Sequence, residues 1–497
     1  MSADLRQKLL YRRQYLYGPA FDDFPHWTRL SLPNGNLLAV HPDLKVTSLE
    51  EGAFRLVLLG YVLDPGAPEN SNQQILSRIS REAKNTTDLI AALDDLGGRY
   101  VLFIFTGSDQ VVLNDAGGLR QVFYHNSPDG SLWLAPQPGL IADRFQFKYS
   151  TEVDSFLNSE TIQKYREPWF PGDATPFAEV KHLLPNHLLD LKSGEVSRYW
   201  PLQRISKQGM QEGAKKAAGI LQQLMQAANN RFNLAMALTG GYDSRIVFAA
   251  CRGIVQELHV YSMMYHRLSE QSPDITLAQQ IAGFAGVPHH LFSCFEPMDE
   301  DFSYLYTHNL EKIYQSYGNI VFGRFMNLDQ DKVVVKSVVN EIARCFYYRN
   351  GVYPYRVTPE FLCKVSKLGE HPFVYRKFEE WMNDAQPVVA LGYKLLDFFY
   401  WENRNANWQA MSQLEFDLAH EEFTPFSCRT LLATMLGVDH EYRCMPKNTF
   451  QREMVRQSWG ELDQFPYNPR GKVIKKPFYE CPLMKIGRWI KYHLKRK

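Results

Sequence analysis

The chain has 497 residues, of which 45% are hydrophobic and 22% are charged. Ordinary domains run to roughly 100–200 residues, so this length predicts two or three domains with sizeable cores. Lys and Arg together number 55, and Asp and Glu number 54. This balance of charge argues against a nucleic-acid-binding protein and against an acidic surface.

The cysteine pattern and the lengths of the apolar runs indicate the cellular compartment. All seven cysteines lie at or after Cys251, without a CxxC pair or zinc-finger spacing, which is not a disulfide framework and fits a reducing environment. Residues 1–6 lack the apolar core of a signal peptide, and long apolar runs such as 54–63 fall far short of a ~20-residue membrane span. We therefore expect a cytoplasmic protein.

The first 200 residues favour β-structure. Strands are predicted at 55–63, 100–105, 110–114, 122–124 and 132–134, with one helix over about 71–82. Residues 106–109 have hairpin-turn composition, and a further hairpin is predicted for 187–191 and 196–200.

The pattern changes after Pro201. Helical periodicity over 211–229 leads into an apolar strand candidate at 232–238, and helices dominate to the end of the chain. We therefore predict one domain over residues 1–200 and a second over 201–497.

The segment after the strand at 232–238 combines two glycines with polar side chains. Residues 239–244 read Thr-Gly-Gly-Tyr-Asp-Ser, and residues 246–251 read as a buried helix. A strand, a glycine turn and a helix form the geometry in which backbone N–H groups point at a phosphate, helped by the helix dipole. Two glycines alone are typical of a turn without a ligand, but this combination favours a phosphate-binding loop.

The polar residues of this loop suit a polyphosphate. Thr239 and Ser244 offer hydroxyls to phosphate oxygens. Asp243 would otherwise face an anion, so its presence predicts a bridging Mg²⁺. The GxxxxGK[ST] pattern of the usual NTPase loop is absent.

The loop resembles the pyrophosphate loop of the ATP pyrophosphatase superfamily, whose pattern is Ser-Gly-Gly-x-Asp-Ser; Thr239 keeps the hydroxyl of the first serine. Within that superfamily the chain is most similar to the asparagine synthetase family. Further segments match the family's second strand, its second pyrophosphate loop, its Glu-x-Arg-x-Pro-Phe segment and its Pro…Arg-x-Lys pattern; they are 258–265, 333–344, 421–426, and Pro466 with 470–472.

The resemblance implies an α/β parallel-sheet ATP-pyrophosphatase domain with many helices, which uses ATP and Mg²⁺ to activate a carboxylate as an acyl adenylate. The substrate would be a small-molecule or peptide carboxylate, and the acceptor an amine or ammonia. The implied ATP-binding residues are Leu238, Thr239, Gly240, Gly241, Asp243, Ser244, Ser262 and Met263. Asp243 and Glu341 are the implied metal ligands, and Glu341 and Lys472 the implied catalytic residues.

The N-terminal part resembles the glutaminase half of these enzymes at residues 96–102, 115–124, 184–186 and 198–200. This implies an α+β domain of the Ntn-hydrolase-like sandwich type. The family uses an N-terminal cysteine as nucleophile. Here position 2 is Ser2, and no cysteine precedes Cys251. We expect a structural platform that does not hydrolyse glutamine.

The second loop departs from the family pattern Ser-Gly-Glu-Gly-Ala-Asp-Glu, because residues 335–341 read Val-Lys-Ser-Val-Val-Asn-Glu. Asn340 falls where a metal-binding aspartate is expected, and Ser337 where the family has a catalytic glutamate. Phe423 replaces an arginine. These changes weigh against asparagine synthesis itself more than against ATP binding.

Three weaker patterns favour structural interpretations. His289-His290 suits packing, because adjacent strand residues face opposite ways. The aromatic cluster over 398–408 favours a core over a substrate pocket. The basic, amphipathic tail 485–497 suits a terminal helix packed by its apolar side, with weak contact to anionic lipid or a protein partner as the alternative.

Two other functions stay open at this point. One is an ATP-pyrophosphatase-type modifying enzyme with another acceptor. The other is a degenerate partner protein that binds nucleotide without catalysis, supported by the altered residues 336–341.

Overall fold

The computed structural model describes residues 3–165, 168–311 and 316–469. Two antiparallel sheets occupy the N-terminal half, and a parallel sheet follows. The expected mixed class, with antiparallel β-structure first and an α/β parallel sheet later, is therefore confirmed. No helix in the described ranges has the length and apolar character needed to cross a membrane.

The first antiparallel sheet has the order β10-β8-β9-β1-β3-β2, and the second has the order β12-β11-β7-β6-β5-β4. Their strands are β1 Tyr15–Gly18, β2 Thr28–Ser31, β3 Leu37–Val40, β4 Val46–Glu51, β5 Phe54–Leu63, β6 Gly97–Phe105, β7 Gln110–Asn114, β8 Phe123–Asn126, β9 Leu132–Ala135, β10 Lys181–His182, β11 His187–Asp190 and β12 Val196–Arg198.

Strand β6 shows how the second sheet packs between two hydrophobic cores. All nine of its residues are buried, because side chains alternate between two cores. Val101, Phe103 and Phe105 join a cluster shared with the first sheet, where Phe103 stacks on Tyr17 at 5.7 Å between ring centroids. Tyr100, Leu102 and Ile104 join the core shared with the helices of the C-terminal half. The two sheets therefore form a sandwich, and the outer face of the second sheet is covered by the C-terminal half.

Helices in this half are α1 Ala3–Leu9, α2 Asn72–Glu82, α3 Thr86–Ala92, α4 Pro138–Phe145, α5 Thr151–Leu157 and α6 Glu160–Lys164. The sequence predicts only α2 among them. Ser71 and Gln74 cap α2 reciprocally, with the Ser71 N–H donating to Gln74 Oε1 at 2.9 Å and the Gln74 N–H to Ser71 Oγ at 3.4 Å. The turn after β11 forms because Asp190 Oδ1 accepts from the N–H groups of Lys192 and Ser193, each at 2.8 Å.

The parallel sheet has the order β15-β14-β13-β16-β17, with β13 Asn233–Ala237, β14 His259–Met264, β15 His289–Ser293, β16 Lys332–Val335 and β17 Glu422–Phe423. The chain moves outward from β13 through β14 to β15, and then returns to the other side of β13 for β16. The strand order therefore reverses between β13 and β16. In open α/β sheets, ligands bind beyond the carboxyl ends of the strands at such a switch point.

The helices of the C-terminal half are α7 Met210–Asn229, α8 Tyr242–Ala250, α9 Pro273–Phe284, α10 Glu300–Asn309, α11 Gly318–Asn327, α12 Pro359–Ser366, α13 Pro372–Ala390, α14 Leu395–Phe399, α15 Ala410–Phe416, α16 Arg429–Gly437, α17 His440–Arg443 and α18 Thr449–Trp459. A π-helical stretch, Tyr400–Gln409, joins α14 to α15. Phe398, Phe399, Tyr400 and Trp401 are buried in the core, as the interpretation of that aromatic cluster predicts.

Candidate functional site

The Thr239 loop, residues 238–241, connects the central strand β13 to helix α8 at the switch point. The helix begins at Tyr242, and the preceding Gly241 has extended backbone with no side-chain cap. The first N–H groups of a helix lack partners within it, so this end of α8 presents donors to a ligand. The predicted order of strand, glycine turn and helix is therefore present.

Hydroxyl groups shape the inside of the loop. Thr239 Oγ1 and Ser244 Oγ are hydrogen-bonded at 2.8 Å, and Thr239 Oγ1 accepts from the Gly241 N–H at 3.3 Å. Ser244 is buried, whereas Thr239 is exposed. These two predicted phosphate-binding hydroxyls therefore stabilise the turn itself.

Gly240 is required by close packing. Its N–H donates to Asp274 Oδ1 at 2.7 Å. A Cβ atom at Gly240 would lie 2.8 Å from that oxygen and 3.0 Å from Pro469 Cδ. At Gly241, by contrast, the nearest atom to an added Cβ would be Thr239 Oγ1 at 3.3 Å, so the approach to this second glycine is more open.

Ser262 and Met263 lie near the carboxyl end of β14, next to the loop. The Ser262 hydroxyl donates to the carbonyl of Leu238 at 2.6 Å and lies 2.9 Å from His289 Nε2. Burial, and then the neighbouring His290, lower the pKa of His289 to about 4, so its ring is neutral near pH 7. The structure thus brings Ser262 to Leu238, whereas the next residue, Met263, packs against other apolar clusters than Leu238, as expected for adjacent residues of a strand.

The histidine pair divides its contacts, as the packing interpretation predicts. His289 reaches Ser262, whereas the His290 ring stacks on His259 at 4.3 Å between centroids. Across the described residues, no group of three or more His, Cys, Asp or Glu side chains has an arrangement that would hold a metal ion.

The second loop, residues 336–344, follows β16 and meets the first turn of α8. Asn340 Nδ2 donates to Asp243 Oδ1 at 2.5 Å, and the Arg344 guanidinium donates to Asp243 Oδ2. The two loops therefore converge on one carboxylate. Sequence reasoning missed Arg344, because its contact with Asp243 joins residues 101 positions apart in the chain.

Glu341 also lies where the two loops converge, near Asp243 and Arg344. Its Oε2 atom is buried without a hydrogen-bond partner. Burial, and then the nearby Asp243 carboxylate, raise the pKa of Glu341 to about 7. A carboxyl group with such a pKa can hold or release a proton near neutral pH.

A Mg²⁺ ion held by Asp243 does not fit this arrangement. Mg²⁺ demands near-octahedral oxygen ligands at close range, whereas both oxygens of Asp243 already accept hydrogen bonds from Asn340 and Arg344. The predicted metal ligands Asp243 and Glu341 are thus brought together, but Asp243 already has a cationic partner. Their role toward a metal stays a prediction.

The segment after α18 is hydrogen-bonded to the Thr239 loop and to helix α8. The Asn468 N–H donates to the Gly240 carbonyl at 2.9 Å, and Arg245 donates to the carbonyls of Phe465 and Pro466, each at 2.7 Å. Tyr467 stacks on Tyr242 at 4.3 Å. The predicted catalytic Lys472, with all of 470–497 and hence the basic tail, lies outside the described residues.

Two cavities differ in their relation to this loop. One of about 320 Å³ opens beside Tyr242 and is otherwise lined by Pro446, Lys447, Thr449, Arg452 and Arg456. Its lining is basic, but Arg452 and Arg456 both pair with Asp463. Another, of about 690 Å³, lies between the sandwich and α13, and its lining includes His182, His187 and Trp381 but no residue of either loop. Position at the switch point, rather than size, identifies the candidate site.

Known proteins resemble only part of the chain. No family model matches it. The asparagine synthetase [glutamine-hydrolyzing] of Cricetulus griseus is 26% identical over 269 residues, which cover 48% of this chain and 43% of that protein. The protein of the same name from Rattus norvegicus is 26% identical over 192 residues, covering 33% of this chain and 34% of its own. The chain therefore matches less than half the length of these curated relatives.

Two solved structures align weakly with the chain. One is an allosteric regulatory enzyme of purine biosynthesis; it aligns at a TM-score of 0.24 and 10% identity, over 58% of this chain and 61% of its own. The other is glutamine phosphoribosylpyrophosphate amidotransferase from B. subtilis, with a TM-score of 0.20 and 10% identity over 68% of this chain and 72% of its own. Scores this low assign no fold. The two sequence relatives confirm the predicted resemblance: over part of its length, this chain is similar to asparagine synthetases.

Proposed function

We propose that this chain is an ATP-dependent amide ligase of the asparagine synthetase type, which forms AMP and pyrophosphate and uses no glutamine. The observation that carries the proposal is the Thr-Gly-Gly-Tyr-Asp-Ser loop between a central parallel strand and a helix at the switch point. In this proposal residues 1–200 form an Ntn-hydrolase-like platform, and residues 201–497 form the ATP-pyrophosphatase domain.

ATP would lie with its phosphates against Gly241 and the start of α8, while Gly240, whose N–H donates to Asp274, allows the tight turn behind them. Donors at a helix start favour anions, and the glycines let the backbone approach closely. The adenine would contact the strand ends at Leu238, Ser262 and Met263. Thr239 and Ser244 are hydrogen-bonded to each other here and would turn their hydroxyls to phosphate oxygens.

The reaction has two steps. A carboxylate oxygen of the substrate attacks the α-phosphorus of ATP, the bond from that phosphorus to the bridging oxygen breaks, and pyrophosphate leaves. An amine or ammonia then attacks the acyl carbon and loses a proton, and AMP leaves with the electrons of the carbon–oxygen bond. Glu341, with its pKa of about 7, is the proposed acceptor of that proton.

Lys472 is the proposed partner of the oxyanion in the second step, by its match to the Arg-x-Lys pattern; the nearby Lys475 and Lys476 are its competitors. A Lys472→Ala variant should bind ATP and still form adenylate, but lose amide product. Normal product formation would remove Lys472 from the mechanism.

Independence from glutamine rests on the missing nucleophile. No cysteine precedes Cys251, and residues 3–9 form a helix rather than the strand that opens the family's glutaminase half. Glutamate release should therefore not exceed the rate without enzyme when the protein is incubated with glutamine. Release that is lost in Ser2→Ala would contradict this part of the proposal.

One alternative has its own supporting observation. The engagement of Asp243 by Arg344 and Asn340 favours a nucleotide-binding partner protein without catalysis. The other alternative is a modifying enzyme with a different acceptor. It would also split ATP to AMP, and it differs from the proposed ligase only in its second substrate.

Product analysis separates these functions. The protein is incubated with ATP, Mg²⁺, a panel of carboxylates and hydroxylamine, which traps acyl adenylates as hydroxamates. We expect carboxylate-dependent AMP and pyrophosphate in equal amounts, lost in Asp243→Ala and retained in Arg376→Ala, which removes an exposed charge outside both loops. Release of ADP and phosphate would contradict the assignment, and nucleotide binding without any cleavage would favour the partner protein.

A further inference from the structure

Arg344 holds the place where a cation is expected. The sequence argument for a metal at the Thr239 loop is that Asp243 would otherwise repel a polyphosphate. In the structure, the Arg344 guanidinium pairs with Asp243 Oδ2, and the other oxygen, Oδ1, accepts from Asn340 at 2.5 Å. The negative charge of Asp243 is therefore already balanced by a residue of the protein.

The pair lies at the mouth of the site rather than in the core. The side chains of Arg344 and Asp243 are 17% and 22% exposed, respectively. The guanidinium carbon of Arg344 lies 6.0 Å from the centre of the Tyr242 ring, in the first turn of α8. A phosphate bound at the start of that helix would therefore lie beside Arg344.

Arg344 also retains donor capacity. Its Nε atom has no hydrogen-bond partner, although it is buried. A guanidinium carries five N–H donors in a planar fork that matches phosphate oxygens, and it stays charged in proteins. Arg344 is thus equipped to contact phosphate while it neutralises Asp243.

We propose that Arg344 supplies the positive charge of the nucleotide site, so that ATP binding by this chain does not depend on a divalent cation held by Asp243. The proposal rests on the proposed function, because it takes the Thr239 loop as the nucleotide site. It goes beyond that function by assigning phosphate recognition to Arg344 and by separating ATP affinity from Mg²⁺.

Calorimetric titration of ATP into the full chain tests this, once in EDTA and once in excess Mg²⁺. For the wild type we expect affinities within about threefold of each other. Arg344→Ala should weaken binding in EDTA by roughly tenfold or more, since a hydrogen bond to a charged group is lost, and Mg²⁺ should restore part of the affinity. Arg344→Lys, which keeps the charge but not the fork, should fall between them.

The control is Arg376→Ala, which removes one positive charge from an exposed pair with Glu152 and should not change ATP affinity. Circular dichroism establishes that each variant is folded; if Arg344→Ala is not, Arg344→Gln replaces it. Wild-type binding only with Mg²⁺, or unchanged binding by a folded Arg344 variant in EDTA, would overturn the inference and leave the nucleotide site standing. Absence of ATP binding under both conditions would instead refute the proposed function.

Discussion

Arg99 and Asp417 lie 318 residues apart in the chain and meet in a two-pronged ion pair. Arg99 Nη1 and Nη2 donate to the two carboxylate oxygens of Asp417 at 2.5 and 2.8 Å, and both side chains are 1% exposed. Arg120 adds two hydrogen bonds to Glu421, at 2.9 and 2.8 Å. Desolvated charges thus join the sandwich to the segment that leads into β17, the edge strand of the parallel sheet.

Arg99→Met should destabilise the protein strongly, because it removes both short hydrogen bonds to the buried Asp417 and leaves it only the longer ion pair with Arg120, at 3.6 Å. Removing one member of a buried pair costs about 3–5 kcal/mol. Urea unfolding followed by fluorescence measures the free energy of unfolding. Arg376→Ala, at the exposed pair with Glu152, is the matched control and should cost less than ~1 kcal/mol. Equal losses of unfolding free energy in the two variants would contradict this prediction, because the buried pair would then contribute no more than the exposed one.

Glu415 should make stability depend on pH. Burial raises the pKa of Glu415 to about 7 from its usual 4.5, despite hydrogen bonds from Tyr306 and from the Tyr317 and Ser316 N–H groups. A raised carboxyl pKa means that the folded state holds a proton which the unfolded state has released. This contribution is therefore complete below pH 4.5 and is lost as the pH rises through about 7.

In Glu415→Gln the amide stays neutral, so the variant should lose less stability than the wild type between pH 5 and 8. Chemical unfolding at several pH values measures the difference. Parallel pH profiles for the two proteins would show that Glu415 does not titrate in this range.

Asn340→Asp should create a response to Mg²⁺ that the wild type lacks. The substitution removes the donor to Asp243 and adds a carboxylate beside Asp243 and Glu341, which should cost about 1–3 kcal/mol in EDTA. Millimolar Mg²⁺ should then raise the melting temperature of the variant. Asn340→Ala, which loses the donor without adding charge, should be destabilised but unresponsive. A wild type that Mg²⁺ stabilises as strongly as Asn340→Asp would contradict this prediction.

The sequence predicts elements with a strong local pattern and misses several others. The ten residues of β5 and the capped helix α2 were predicted nearly to their ends. The sequence misses strands β1 to β4, although it predicts β8, β9 and β11, which have four residues each. Strand β1 pairs with a partner distant in the chain, as between Tyr17 and Leu134, and no local pattern encodes that partner.

The same distinction holds at the candidate site. The Thr239 loop could be predicted because its residues are adjacent in the chain and their order carries the chemistry. Arg344 could not, because its role depends on a contact with Asp243 across 101 residues. The hydrogen bonds of Asn468 and Arg245 likewise join groups that are distant in the chain, as between Arg245 and the carbonyl group of Pro466.

Gly241 offers the most direct test of the central claim that the Thr239 loop binds the phosphates of ATP. Its backbone φ of −77° suits any residue, and the nearest atom to an added Cβ is 3.3 Å away, so Gly241→Val should fold. The valine methyl groups would occupy the space where phosphate must approach the backbone. Gly253→Val is the matched control, because nothing lies within 4 Å of a Cβ there, beyond the other end of α8.

The measurement is calorimetric titration of ATP, in Mg²⁺, into the wild type and both variants. The account predicts that the wild type and Gly253→Val bind ATP alike, and that Gly241→Val binds it at least roughly tenfold more weakly while its melting temperature is nearly unchanged, since a lost set of charge-assisted hydrogen bonds exceeds 1.4 kcal/mol. Unchanged ATP affinity in a folded Gly241→Val variant, or no binding by the wild type, would contradict it.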